Sequence, residues 1–357
     1  MTSDLASVST SPVSNGATGG PGPRSGRWRR AARRWEAALV LVLVAVVLFG
    51  AAESSTFLTP TTFFYLGTDI GYIAIMALPM TLIVMTGEID LSVASALGLS
   101  GAMVGYLWHH GWGIWPAVLV ALAVGALGGA INGVLVAKVG LPSIAVTIGT
   151  LTLYRGLAEV LLGSLTVPAV GDRPFPTSLT NIGVVPVPGT HMSYSLLFFL
   201  ILAVVFGILL HATPLGRSLV AIGLQPEAAR FVGIRVNRIK LVLYIVSGIM
   251  CAFAGILLTL QNASVSYNAG YGLELNVVAI VLFGGVSIFG GRGSILGVVL
   301  SVAIVGALEM ALTQMNVDPN VQNIVTGVLL LLSVIIPNGG ELVRRVRARM
   351  RRLTPGS

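Results

Sequence analysis

Apolar residues run along this chain in blocks too long for a soluble core. A helix needs about 20 predominantly apolar residues to cross the ~30 Å hydrocarbon layer of a bilayer. Such blocks recur at about 37–52, 63–86, 91–107, 114–136, 142–162, 194–211, 241–260, 275–289, 294–312 and 320–337. The pattern predicts an all-α polytopic membrane protein of about 10 transmembrane helices.

The same pattern divides the chain. Residues 1–36 read as a disordered, basic cytoplasmic tail, because the Ser, Gly, Pro and Thr that dominate 1–23 cannot bury enough surface to fold. Residues 37–337 form the transmembrane domain, and 338–357 a basic cytoplasmic C-terminal tail. The basic stretch followed by 37–52 has the outline of a signal peptide, and its Arg-Arg pairs that of a twin-arginine signal. An uncleaved first span is the reading adopted, because the basic segment is long and every later loop then falls on a consistent side.

Composition agrees with a chain solvated by lipid. It is 55% hydrophobic and 10% charged, against about 25% charged in soluble domains, and its mean hydropathy is +0.91. The net charge of +8 does not point to nucleic acid. The arginines cluster at 24–34, 217–240 and 344–352, each beside an apolar block. Lys and Arg concentrate on the cytoplasmic side of membrane proteins. With the N-terminus placed inside, 19 of the 21 Lys and Arg fall inside. Arg173 alone lies in an outside loop, and Arg155 lies within a span. A miscount of one span would destroy this asymmetry, so it supports an N-in, C-in topology. The single Cys251 lies in an apolar run and reads as a packing residue. The histidines 109, 110, 191 and 211 share no helical spacing, so no metal site is expected.

Four features carry chemistry. The segment 212–240 is too polar to cross lipid and lies inside. Pro226 and Glu227 suit a helix start, Ala228 and Ala229 give a smooth surface, Arg230 follows, and Gly233 can end the helix. This is either a handle that a soluble motor grips or a basic connector held at lipid headgroups. Next, Glu88, Asp90 and Ser92 interrupt an otherwise apolar stretch after Gly87. They form either a capped turn or a discontinuous helix lining a polar cavity. Third, Glu274 and Asn276 follow Gly270-Tyr271-Gly272 at an expected outside loop, with glycine pairs at 284–285 and 290–291 beyond. They either line the outer mouth or cap a helix start. Within the spans, Arg155 and Glu159 are spaced to pair on one helix face, while Glu309 has no partner evident in sequence and is a pathway candidate. The long Pro- and Gly-rich loop 163–193 either meets an external partner or is a loosely ordered surface loop. A Gly-x-x-x-x-Gly-Lys-Ser/Thr phosphate loop does not occur in the sequence.

These motifs resemble those of sugar permeases in ATP-binding cassette importers. Glu227-Ala228-Ala229 followed by Gly233 is similar to the family's cytoplasmic loop. Gly87-Glu88-Ile89-Asp90-Leu91-Ser92-Val93 resembles a Gly-Gly-Ile-Asp-Leu-Ser-Val run, with Glu88 in place of the second glycine. The glycine-rich stretch from Gly270 to Gly293 matches a third pattern. The resemblance spans about 63–336 and is to the ribose, xylose, arabinose, rhamnose and autoinducer-2 permeases. It implies import of a sugar or sugar-like signal, with ATP used by a partner subunit and no cofactor on this chain. It implies three partners besides membrane lipid: a cytoplasmic ATPase, a second permease copy or paralogue, and an extracytoplasmic substrate-binding protein. Leu153-Tyr154-Arg155-Gly156 leans toward the rhamnose and autoinducer-2 branches. A branched-chain amino-acid permease is the alternative within the class, and an ion-coupled secondary transporter the alternative outside it.

Overall fold

The computed structural model describes residues 25–335, apart from 170–171, 319, 323, 326, 329–330 and 333–334. The described chain is helical and contains no β-strand. Its elements are α1 (Ser25–Glu53), α2 (Pro60–Met85), α3 (Val93–His109), α4 (Ile114–Val134), α5 (Ser143–Leu162), α6 (Thr177–Thr180), α7 (Tyr194–His211), α8 (Pro214–Leu224), α9 (Pro226–Phe231), α10 (Val236–Gln261), α11 (Leu273–Phe283) and α12 (Ile295–Gln314). A π-helical turn, Leu135–Val139, extends α4. Among the described residues seven helices are long and apolar enough to cross a membrane. The described residues between 320 and 335 are helical as well, but the full extent of the block expected at 320–337 lies outside the described residues, as do 1–24 and the tail at 338–357.

Element boundaries follow the local chemistry. α1 opens at Ser25, well before the 37 expected, and so takes in the end of the stretch read as a disordered tail. The Arg- and Ala-rich sequence there is a good helix former. Thr59 and Pro60 start α2, with the Thr59 hydroxyl accepting from the Thr62 N–H. Ser193 caps α7 and Ser294 caps α12 in the same way.

α2 is the central helix. From Ile73 to Met85 every side chain is buried, with α7, α10, α11 and α12 packed around it. A helix that is apolar all round belongs in such a core. The most extensive helix pairing is that of α4 with α10. Gly125, Gly129 and Gly133 recur every fourth residue on α4, and a side chain on any of them would strike α10. A Cβ on Gly248 of α10 would lie 2.1 Å from the Gly125 carbonyl oxygen. Membrane helices gain little from burying apolar surface against each other, so this close backbone approach is what holds the pair.

Between α2 and α3 the chain breaks where the polar motif predicts. Gly87 has φ of +82°, which favours glycine. Asp90 is buried, and one carboxylate oxygen accepts from the Ser92 N–H at 3.0 Å and from the Ser92 hydroxyl at 2.6 Å. Its other oxygen accepts from Ser247 of α10 at 3.2 Å, and Asn132 of α4 donates to the Ser92 hydroxyl at 2.8 Å. Glu88 pairs with Lys240 of α10, both side chains largely buried. The interruption is thus pinned to two neighbouring helices.

Two outcomes test this packing. Gly248→Ala should lower the thermal midpoint of the detergent-solubilised protein, by an amount matching about 1–3 kcal/mol of overpacking, whereas Gly149→Ala, whose new Cβ meets nothing within 4 Å, should not. Lys240→Met should destabilise by about 3 kcal/mol because it strands a buried carboxylate, and adding Glu88→Gln should recover much of that loss. Equal midpoints for single and double variants would contradict the pairing.

Candidate functional site

Two ends of the bundle differ in character. One carries Lys138, the Arg217–Lys240 segment and Arg292 and is called here the basic end. The opposite end carries the loops 163–193 and 262–272.

At the basic end α8 and α9 lie as a helix-turn-helix. Gln225, with φ of −161°, separates them, and Pro226 opens α9. Gly233 has φ of +83° just past the helix end, as its position predicts. The expected alanine surface divides. Ala229 is buried against Ile222 and Val236, while Ala228 is exposed. Glu227 is exposed and bonds Arg230 at 2.6 Å, and Arg230 also donates to Asn237 at 3.1 Å. Phe231 and Val232 are 90% and 75% exposed. Sequence reasoning missed these two. Their signal was an apolar pair directly after a polar, alanine-bearing turn.

α8 meets the rest of the fold through backbone. A Cβ on Gly223 would lie 2.0 Å from the Met85 carbonyl oxygen and 2.2 Å from the Gly291 nitrogen. The Gly291 N–H donates to that same Met85 carbonyl at 2.9 Å. The end of α2, the end of α8 and the α11–α12 loop therefore converge on one point.

The opposite end differs from expectation. Residues 262–272 do not stay at the rim but descend beside α3. Val265 fits against Gly101 and Gly105, Ala269 against Gly98, and Gly270 against Ala94 and Leu97. α11 then starts deep in the bundle, and its 11 residues span about 16 Å, half of a bilayer core. Glu274 and Asn276 sit on its first turn, so they lie inside the bundle rather than in an outer loop. The descent is possible because glycines on α3 leave room and because Gly270 and Gly272 have φ of +70° and +85°.

Between this segment, the end of α10 and α2 lies a cavity of about 330 Å³. Tyr72, Thr166, Thr259, Asn262, Ser264, Ser266 and Tyr271 supply its polar groups, and among the described residues no charged side chain lines it. The Asn- and Ser-bearing run from Gln261 to Asn268 was the available signal in sequence.

Charges stand around the cavity. Asp69 of α2 and Glu309 of α12 stand on helices that pack together, and Asp69 lies three residues before Tyr72 on α2. Arg155 of α5 donates from Nη1 to the Ala269 carbonyl at 2.6 Å and lies 5.6 Å from the centre of the Tyr271 ring. Glu159 is exposed, and among the described residues the two form no ion pair. Helical spacing suggested a pair, but the descending backbone offers Arg155 the Ala269 carbonyl instead. Glu88, Asp90 and Ser92 lie at the other end of α3 and do not join this group.

Loop 163–193 is tied down where it is described. Val167 and Val265 exchange backbone hydrogen bonds of 2.9 and 2.8 Å. Trp108 donates to the Arg173 carbonyl, the Arg173 guanidinium lies 3.4 Å from the Trp108 ring centre, and His109 meets Asp172 at 3.2 Å.

Comparison with known proteins bears on this architecture. Residues 62–334 match the family described as branched-chain amino acid transport system / permease component. The chain is similar to the autoinducer 2 import system permease protein LsrD of Klebsiella pneumoniae subsp. pneumoniae, with 33% identity over 326 residues, 89% of this chain and 96% of that protein. LsrD of Salmonella paratyphi A is 31% identical over 86% of this chain and 92% of its own length. LsrD of Escherichia coli O9:H4 is 33% identical over 84% and 91%. No solved structure gives a significant match. A family match over most of the chain, together with a multi-helix membrane fold, establishes that the chain belongs to the branched-chain amino acid transport system permease component family.

Proposed function

We propose that this chain is the membrane permease subunit of an ATP-binding cassette importer in the plasma (inner) membrane, and that its solute is a sugar or an autoinducer-2-like sugar derivative. The cavity carries the choice of solute. Its polar lining is hydroxyls and one carboxamide, without a charged side chain. A sugar presents neutral hydroxyls around its whole perimeter, and such groups exchange hydrogen bonds with Ser, Thr, Tyr and Asn. A branched-chain amino acid presents an ammonium and a carboxylate, which are costly to desolvate without charged partners. The import named for the LsrD relatives favours the same choice over the amino acid in the family description.

In this reading the basic end is cytoplasmic and both termini are inside. The ATPase grips α9 through Glu227, Ala228, Arg230, Phe231 and Val232, while Ala229 and Gly233 shape the helix from behind. Two exposed apolar side chains rimmed by charge form a small hot-spot patch of the kind that protein interfaces use. Closure of the ATPase dimer moves α8–α9, and the glycine contact at Gly223 passes the movement to α2 and to the α11–α12 loop. A binding protein delivers solute at the 163–193 side. A second permease copy or paralogue completes the pathway. Glu274, Asn276 and Glu309 flank that pathway, and Glu88, Asp90 and Ser92 brace its inner end.

With the ATPase and binding protein co-expressed, labelled autoinducer 2 or a pentose, hexose or deoxysugar should accumulate in an ATP-dependent way, and leucine should not. Leucine uptake alone would replace the sugar reading, and uptake that persists without an ATPase would replace the importer. Glu227→Arg and Phe231→Asp should each leave the permease in the membrane while lowering co-purification of the ATPase and uptake by about tenfold or more. Full uptake in both variants would remove α9 from the coupling role.

A further inference from the structure

The segment that walls the cavity packs against α3 but is held from outside by few hydrogen bonds. Val265 is fixed to Val167 by paired backbone hydrogen bonds. Beyond it, the hydrogen bonds of 266–272 stay within the segment: Ala269 N–H to Ser266, Tyr271 N–H to Asn268, Leu273 N–H to Gly270, and the Ser266 hydroxyl with Asn268. Among the described residues, one hydrogen bond reaches this stretch from another element. It is Arg155 Nη1 donating to the Ala269 carbonyl at 2.6 Å.

We propose that Arg155 is a positioning residue that latches the 262–272 segment over the cavity and so sets access to it. Three observations converge on the contact. The guanidinium stacks toward the Tyr271 ring at 5.6 Å, and Tyr271 lines the cavity. The segment leads directly into α11, which opens at Leu273 with Glu274 in its first turn, so fixing Ala269 also fixes where that helix begins. Gly98 of α3 leaves the space in which the contact forms, since a Cβ there would lie 2.8 Å from both the Ala269 oxygen and Arg155 Nη1. The stretch so held contains Gly270 and Gly272 in left-handed conformation. These are positions where the backbone swings easily once released. A charge-assisted hydrogen bond in a low-dielectric site is strong enough to hold the segment and, being single, can be undone in one step.

The latch needs only the cavity, whereas its part in transport rests on the proposed function. The reporter is Thr259→Cys, because Thr259 is buried on α10 and lines the cavity. The native thiol, Cys251, is buried and serves as the blank. In membranes opened to both faces, a polar maleimide should modify the reporter slowly in the parent and about tenfold faster with Arg155→Met, the factor that one hydrogen bond to a charged group represents. Arg155→Lys should fall between the two. Gly98→Ala should accelerate modification as well, by crowding the same contact from α3, and it supplies the test if Arg155→Met fails to yield a monodisperse protein. Glu159→Gln should leave the rate unchanged. An unchanged rate in both Arg155→Met and Gly98→Ala, or an equal acceleration by Glu159→Gln, would overturn the latch. In uptake assays Arg155→Met should lower the maximal rate with little change in half-saturating concentration. Reporter acceleration by Arg155→Met, with a parent chain that imports no sugar, would sink the substrate reading and leave the latch standing. Impaired uptake with a silent reporter would sink the latch.

Discussion

A backbone N–H or C=O left bare in hydrocarbon costs several kcal/mol, so a membrane fold can interrupt a helix only where protein takes over the hydrogen bonding. Three interruptions among the described residues meet that demand with named groups. At 86–92 Asp90 accepts from the Ser92 N–H, and the Ile89 N–H donates to Ser143. Past the end of α11 the Phe283 carbonyl accepts from Trp35, and the Gly291 N–H finds the Met85 carbonyl. In the descending segment Arg155 serves Ala269. Several polar residues of the spans, Asp90, Ser92, Ser143 and Arg155 among them, are thus accounted for by broken backbone.

The same constraint explains how movement at one end can reach the interior. Side chains deform, but glycine contacts place backbone directly on backbone. Gly223 touches Met85 and Gly291 with no room for a Cβ, so α8 cannot shift without displacing the end of α2 or the α11–α12 loop. Both lead inward. α2 carries Tyr72 to the cavity wall, and α11 begins at the segment that closes it. Trp35 and Glu36 of α1 also hold this loop, through Phe283 and Ser294, so the N-terminal helix resists the same displacement.

Much of this was legible in sequence because membrane helices announce themselves by length and hydropathy. α7 spans 194–211 as expected, and α5 and α12 begin and end within two residues of expectation. Gly87 and Gly233 stand at the helix ends their positions suggested. What sequence hid was depth. Hydropathy cannot distinguish a polar loop at the surface from one drawn into the bundle, because the decisive residues, Gly98, Gly101 and Gly105, are on a different helix. Glu274 opens a helix, as one of its two readings had it, but that helix begins inside the bundle for this reason. The Arg155–Glu159 pairing failed on the same ground. Spacing on one helix shows which partners are available, but not the carbonyl brought alongside by tertiary structure. Likewise Ala228 and Ala229 look equivalent in sequence, and only packing against Ile222 and Val236 separates them.

The distribution of charge around the cavity bears on what a permease must do. A site that binds too tightly does not release, so conduction favours groups that offer many weak contacts over a few strong ones. Hydroxyls and an amide inside the cavity meet that requirement for a polyhydroxylated solute. The titratable groups sit behind or beside the lining. Arg155 spends its charge on the backbone, and Asp69 and Glu309 stand on the packed pair α2 and α12. Charges used in this way shape and stiffen the walls without offering the solute a trap. A zwitterion would need those same charges turned inward, and turning Arg155 inward would release the segment that forms the wall. Wall and ionic site thus compete for one guanidinium, which is the physical reason the geometry favours a neutral solute.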